Sequence, residues 1–269
     1  MKKLMKSKSV GVLMGCALSL FMVANSASAS VESSPYNAGK VGNVTYKFTS
    51  EVWDRGFTTG TTVEAVSFVK ADNNVSSGYM GANARLYVGS TMKTSSGMTY
   101  NDSTTTGFWV YSDRLKAEAT YWSQTAAEFY HGNGYTKFVG YKSPNLILKQ
   151  KNLVSTLRSE ELVDTETPVY IQEVQNRTEY NVNANGETFG SGLSAETIGV
   201  DPDLIEAYGT NGLKGFVKSS DLEPTVSTPE EALAINPENG TLRSIPLYEV
   251  DGVTIIGQFD LVTHYEAVQ

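Results

Sequence analysis

Two stretches of this chain alternate apolar and polar residues with a period of two, a spacing that a strand satisfies and a helix does not. Along 44–53, Val44, Tyr46, Phe48 and Val52 share one side, and Thr45, Lys47, Thr49, Glu51 and Trp53 the other. Along 78–89, Met80, Ala82, Ala84, Leu86 and Val88 form an apolar row opposed by Tyr79, Asn83, Arg85 and Tyr87. Each pattern needs one buried face, so each strand must belong to a sheet packed on something. Further strands are expected at 61–71, 105–111, 118–131 and 134–142, with turns at Asp72-Asn73-Asn74 and Gly132-Asn133-Gly134. Short strands separated by turns predict a mainly β fold, an antiparallel β-sandwich over residues 41–144.

The texture then changes. Residues 145–168, with Lys149-Gln150-Lys151 and Ser159-Glu160-Glu161, are charged and read as a linker or a short solvated helix. Residues 169–269 read as a small α+β or SH3-like domain. Asn185-Gly186 is expected to turn a hairpin. Tyr180 to Glu187 has the alternating oxygen donors of a calcium loop's opening, but the bidentate acid would fall at Gly192, so no metal is assigned. Asp201-Pro202 resembles the cap and first residue of a short helix ending at Gly209. Thr228-Pro229-Glu230-Glu231 is a stronger helix start, with Glu231 spaced for a capping box. Asp251-Gly252 predicts a two-residue hairpin.

The first 29 residues stand apart. Lys2, Lys3, Lys6 and Lys8 precede an apolar run from Val10 to Ala24 that closes on Ala27-Ser28-Ala29, the order of a secretory signal peptide cleaved before Ser30. Lipid attachment at Cys16 is the rival, but the apolar run continues past that cysteine. Cys16 is the chain's one cysteine, so an exported form holds no disulfide and relies on packing alone. Removing four lysines deepens the formal charge from −8 to −12. That charge disfavours nucleic acid and anionic lipid as partners.

Enzyme motifs are not found. His131 and His264 are the chain's two histidines and read as surface residues; there is no His-Glu-x-x-His and no Gly-x-Ser-x-Gly. Ser67 to Lys70 and Ser90 to Lys93 match Ser-x-x-Lys, but in strands or turns rather than on a helix. Asp113, Glu118 and Glu128, near the aromatic strands, are the first acids to consider for a carboxylate pair. No catalytic residue and no cofactor is assigned.

Seven aromatics, Trp53, Tyr79, Tyr87, Trp109, Tyr111, Trp122 and Tyr130, fall out of phase with the core rows. An exposed aromatic sheet face can stack ligand rings. Trp109, Tyr111, Trp122, Tyr87 and Tyr130 are therefore the candidate ligand-binding residues; the other reading is that they cover the flanks of the sandwich or pack beneath the second domain.

Leu204-Ile205, Gly209, Gly212, Gly215-Phe216-Val217 and Asp221-Leu222 resemble the closing strands of bacterial SH3-type domains. Together with the stretch 183–191, Ile245-Pro246-Leu247-Tyr248, Asp251-Gly252 and Ile255-Ile256-Gly257, they resemble an extracellular module of Gram-positive proteins, including the sensor portion of BlaR-type membrane metallopeptidases. Residues 78–87 resemble the β-sandwich of lactococcin-like bacteriocins. These resemblances imply a module displayed outside the cell. The expectation is a secreted, non-enzymatic binding or interaction protein of the Gram-positive envelope, with wall glycan, wall peptide or another envelope protein as partner. A wall-directed hydrolase using carboxylates and an exported bacteriocin-like toxin are the alternatives.

Overall fold

The structure, a computed structural model, describes residues 30–56, 62–149 and 168–268. The expected signal peptide, the lipid-attachment alternative at Cys16 and most of the expected linker lie outside these residues. Among the described residues, no helix is long and apolar enough to cross a membrane.

The protein is mainly β. The strands before the charged segment are β1 (Ser30–Glu32), β2 (Tyr36–Val41), β3 (Val44–Asp54), β4 (Val63–Val75), β5 (Met80–Val88), β6 (Thr91–Ser95), β7 (Thr99–Tyr100), β8 (Thr105–Tyr111), β9 (Ala119–Tyr130), β10 (Tyr135–Val139) and β11 (Leu146–Leu148). After it come α1 (Pro168–Gln175), β12 (Asn181–Val182), β13 (Thr188–Gly190), α2 (Ala195–Ile198), β14 (Leu204–Tyr208) and β15 (Lys214–Lys218). The chain finishes with α3 (Ser219–Leu222), α4 (Pro229–Ile235), β16 (Leu242–Tyr248), β17 (Ile255–Val262) and β18 (His264–Ala267).

One sheet runs β1-β3-β4-β8-β18, with β2 also paired to β3. The other runs β10-β9-β5-β6-β17-β16-β15-β14-β13-β12. They pack face to face through the apolar rows that the alternation assigns: Tyr46, Phe48 and Val52 from β3 meet Met80, Ala82, Ala84 and Leu86 from β5 in one core. The Tyr46 and Phe129 rings stack at 4.1 Å across it.

Four local expectations change. Asp72-Asn73-Asn74 is not a turn but an irregularity within β4, where the register against β8 shifts between Lys70 and Val75. Residues 204–208 form β14 rather than a helix. Leu204, Ile205 and Ala207 are fully buried, and β14 is held between β13 on one edge and β15 on the other, which outweighs a local capping signal. The Asp251-Gly252 loop is longer than two residues: the backbone closes from Glu249 to Thr254 at 2.8 Å, and Asp251 Oδ1 accepts from the Val253 and Thr254 amides. In the Thr228 capping box, Thr228 Oγ1 accepts from the Glu231 amide, but the Glu231 carboxylate reaches back to the amide of Ser227, one residue earlier than expected.

The change of texture at 145–168 is not a boundary of the sheets. β6, from the first half, pairs in parallel with both β14 and β17, closing a ring of five strands, β6-β14-β15-β16-β17. β18, from the end of the chain, is the edge strand of the first sheet. The polar row of β5 is covered by the second half. Arg85, fully buried, donates from Nη1 and Nη2 to the two Asp201 carboxylate oxygens at 2.9 and 2.8 Å and also ion-pairs with Glu223. Two glycines permit the approach: a Cβ at Gly78 would lie 2.8 Å from the Pro229 carbonyl, and one at Gly192 would strike the Tyr87 hydroxyl.

Candidate functional site

The five candidate aromatics separate into three places. Tyr87 and Trp122 stack on each other at 4.1 Å with an interplanar angle of 5°. They sit in the second core with Leu193, Val217 and Leu247, and the Trp122 indole donates to the Gly89 carbonyl at 2.7 Å. Neither ring has a face open to a ligand. The facing strands Tyr87↔Trp122 turn this side of the sheet toward the second half of the chain, so burial decides against them as surface contacts. Tyr130 packs against Tyr79 and Tyr135 at the far end of β9. Trp109 and Tyr111 remain together, on the outer face of the first sheet. Of the five candidates, only Trp109 and Tyr111 share an outward patch, which Trp53 and Phe68 complete.

In that patch Trp109 stacks on Phe68 at 4.0 Å, Trp53 tilts against Trp109 at 5.6 Å, and Trp53 meets Tyr111 edge-on at 6.0 Å. Cross-strand register produces this: Phe68 faces Trp109 between β4 and β8, and Trp53 faces Glu64 between β3 and β4. Val66, fully buried, lies in the same outward row. The rings are thus a second apolar layer with partly exposed edges.

Beside this layer is a groove of about 530 Å³ lined by Arg55, Glu64, Tyr111, Ser112, Asp113, Arg114, Asn239, His264, Tyr265 and Glu266. Its centre is the Glu64 carboxylate, 2% exposed and shared by two guanidiniums. Arg55 Nε donates to Glu64 Oε1, and Arg114 Nε donates to Glu64 Oε2 at 2.8 Å. Backbone pairing puts each arginine in place. The Arg55 amide donates to the Thr62 carbonyl at 2.8 Å, and Leu115 forms an antiparallel bridge with Val63 that carries Arg114 alongside Glu64. Arg55 is further held with Cζ 4.4 Å over the Trp53 ring.

The far wall comes from the other end of the sequence. β18 sets His264 opposite Tyr111 and Glu266 opposite Trp109, and the Tyr111 hydroxyl donates to Glu266 Oε1. Burial, then this hydrogen bond, pushes the Tyr111 hydroxyl well above the usual phenol range, so it stays a donor. Asn239 Nδ2 donates to the Tyr265 carbonyl at 2.8 Å and Asn239 Oδ1 accepts from the Tyr265 amide at 3.2 Å, occupying the open edge of β18 as a neighbouring strand would.

Glu64 is bonded by two guanidiniums, and one oxygen of Glu266 by a phenol. The acids singled out from the sequence do not converge: Asp113 is exposed at the groove, Glu118 precedes β9, and Glu128 is buried elsewhere, bonded by the Tyr100 hydroxyl and 3.6 Å from Lys137 Nζ. Among the described residues there is no group of three or more His, Cys, Asp or Glu placed to hold a metal ion. Arg55, Glu64, Arg114, Asn239 and Glu266 belong to no motif in the sequence, while His264 is exposed as expected of a surface histidine. One signal was available: Glu64 stands alone in the apolar run Val63 to Val66, and a lone acid in a strand interior needs a cationic partner. No protein-family model, curated protein or solved structure matches this chain.

Proposed function

We propose that this chain is an exported, non-enzymatic binding protein of the Gram-positive envelope, and that the groove on the outer face of its first sheet is the ligand site. The observation that carries the reading is the pair Arg55 and Arg114, both fixed through Nε on one buried carboxylate and both lining the groove beside the aromatic layer. Polar groups held in advance by ion pairs and backbone bonds bind at low entropic cost. The basic, apolar and small-residue order of residues 1–29 supports export.

The test is co-sedimentation of the protein with purified peptidoglycan, for the wild type and Arg114→Ala. Arg114 is 54% exposed at its side chain, so removing it leaves packing almost intact while Arg55 still neutralises Glu64. A lost charge-assisted contact weakens binding by about tenfold or more. Wild-type protein that stays in the supernatant, or a variant that sediments equally well, would refute the assignment.

A further inference from the structure

The donors and acceptors of the groove specify a ligand chemistry, and the inference rests on the groove being the binding site. A guanidinium has five N–H donors. Among the described residues, Arg55 and Arg114 use only Nε on the protein, both toward Glu64, so the Nη groups of both remain for a ligand. Glu64 cancels one of the two positive charges, leaving the pair with a net charge of +1. Paired forks of this kind match a carboxylate, which accepts two parallel N–H bonds.

The rest of the lining argues against a small, highly charged anion. Asp113 and Glu266 border the same groove. Asp113 accepts the Arg114 amide through Oδ1 at 2.8 Å and Glu266 accepts the Tyr111 hydroxyl through Oε1. Each keeps a second oxygen as an acceptor, which would repel phosphate but would satisfy hydroxyl groups. The volume, about 530 Å³, lies within the roughly 300–1,000 Å³ typical of small-molecule sites. Tyr111, on the outward row of β8, lines one side of the groove.

We infer that the groove recognises a sugar acid, with its carboxylate between Arg55 and Arg114 and its hydroxyls on Asp113 and Glu266. The probe pair is N-acetylmuramic acid and N-acetylglucosamine, two sugars that differ by a lactyl carboxylate, titrated by calorimetry into the full chain, with N-acetyl-alanyl-alanine as a peptide carboxylate. The expected result is at least tenfold tighter binding of N-acetylmuramic acid than of either other probe. Arg114→Ala should remove that preference, and Arg114→Lys, which keeps the charge and loses the fork, should recover only part of it. Equal affinity for the two sugars, preference for the dipeptide, an unchanged preference in Arg114→Ala, or no binding of the acid sugar would each overturn the inference. Peptidoglycan sedimentation separates the two readings. Wall binding without sugar discrimination rejects the sugar acid alone. Sugar discrimination without wall binding rejects the envelope role alone.

Discussion

At Glu128, burial and hydrogen bonding compete on a single carboxyl. Desolvation pushes its pKa from 4.5 up to about 6, opposed by the Tyr100 hydroxyl and Lys137, and reinforced by the nearby Glu223 carboxylate. An acid whose folded pKa lies above its unfolded one favours folding when protonated. The fold is therefore most favoured by this group below about pH 4.5 and loses that contribution as pH rises through about 6. A shift of this size corresponds to about 2 kcal/mol. Glu128→Gln, isosteric and uncharged, should gain melting temperature relative to the wild type between pH 5 and pH 8. A difference between the two proteins that does not change over that range would show that Lys137 compensates the charge fully. Gly81, opposite Glu128, leaves no room for a side chain, since its Cβ would lie 2.8 Å from the Tyr100 ring.

Among the elements, β18 combines pairing, core packing and groove lining in four residues. Its four residues pair with β8 from Phe108 to Tyr111, Tyr265 packs onto the first core, and His264 and Glu266 wall the groove. A chain ending at Thr263 loses the ladder, the half-buried Tyr265 ring and the Tyr111–Glu266 bond together. We expect a loss of at least about 2 kcal/mol in a urea melt, from Tyr265 burial and a few backbone bonds. The uncovered edge of β8 should also raise the tendency to self-associate, visible by light scattering. Unchanged stability in the truncated chain would mean that β18 is docked on the sheet without supporting it. The strand's alternation, His264 and Glu266 outward, is readable in sequence; its partner is not, because β8 lies more than 150 residues earlier, as the Tyr111–Glu266 separation of 155 records.

Over the whole molecule, three apolar clusters join the two halves. Tyr87, Met92 and Trp122 pack with residues of the second half, Met98 and Tyr100 pack with Val226 and Ala232, and Tyr265 closes on the first core. The buried Arg85 ties Asp201 and Glu223 to β5, and breaking such a pair costs roughly 3–5 kcal/mol. Residues 30–149 and 168–269 made separately should each give poorly dispersed amide spectra, and mixing them should restore native dispersion. Independent folding of either fragment would contradict the shared sheets. Cutting at a site engineered into 150–167 should leave the halves bound through a size-exclusion column.

What the sequence by itself determined is local. The period of two along 44–53 and 80–88 fixes strands and core faces, because alternation places every second side chain on one side whatever lies across from it. The Thr228 start of α4 and the Asn185-Gly186 hairpin follow from side-chain and backbone chemistry within a few residues. Tertiary structure alone decided which out-of-phase residues meet water. Asn83, Arg85 and Tyr87 have the same strand phase as a solvated row, yet are buried because the second half covers them. It also turned 204–208 into a strand, and it assembled the groove from Arg55, Glu64, Arg114, Asn239 and Glu266. Burial and ion pairing depend on what approaches across space, and partners separated by 116 and 138 residues, as Arg85 is from Asp201 and Glu223, leave no periodic trace along the chain.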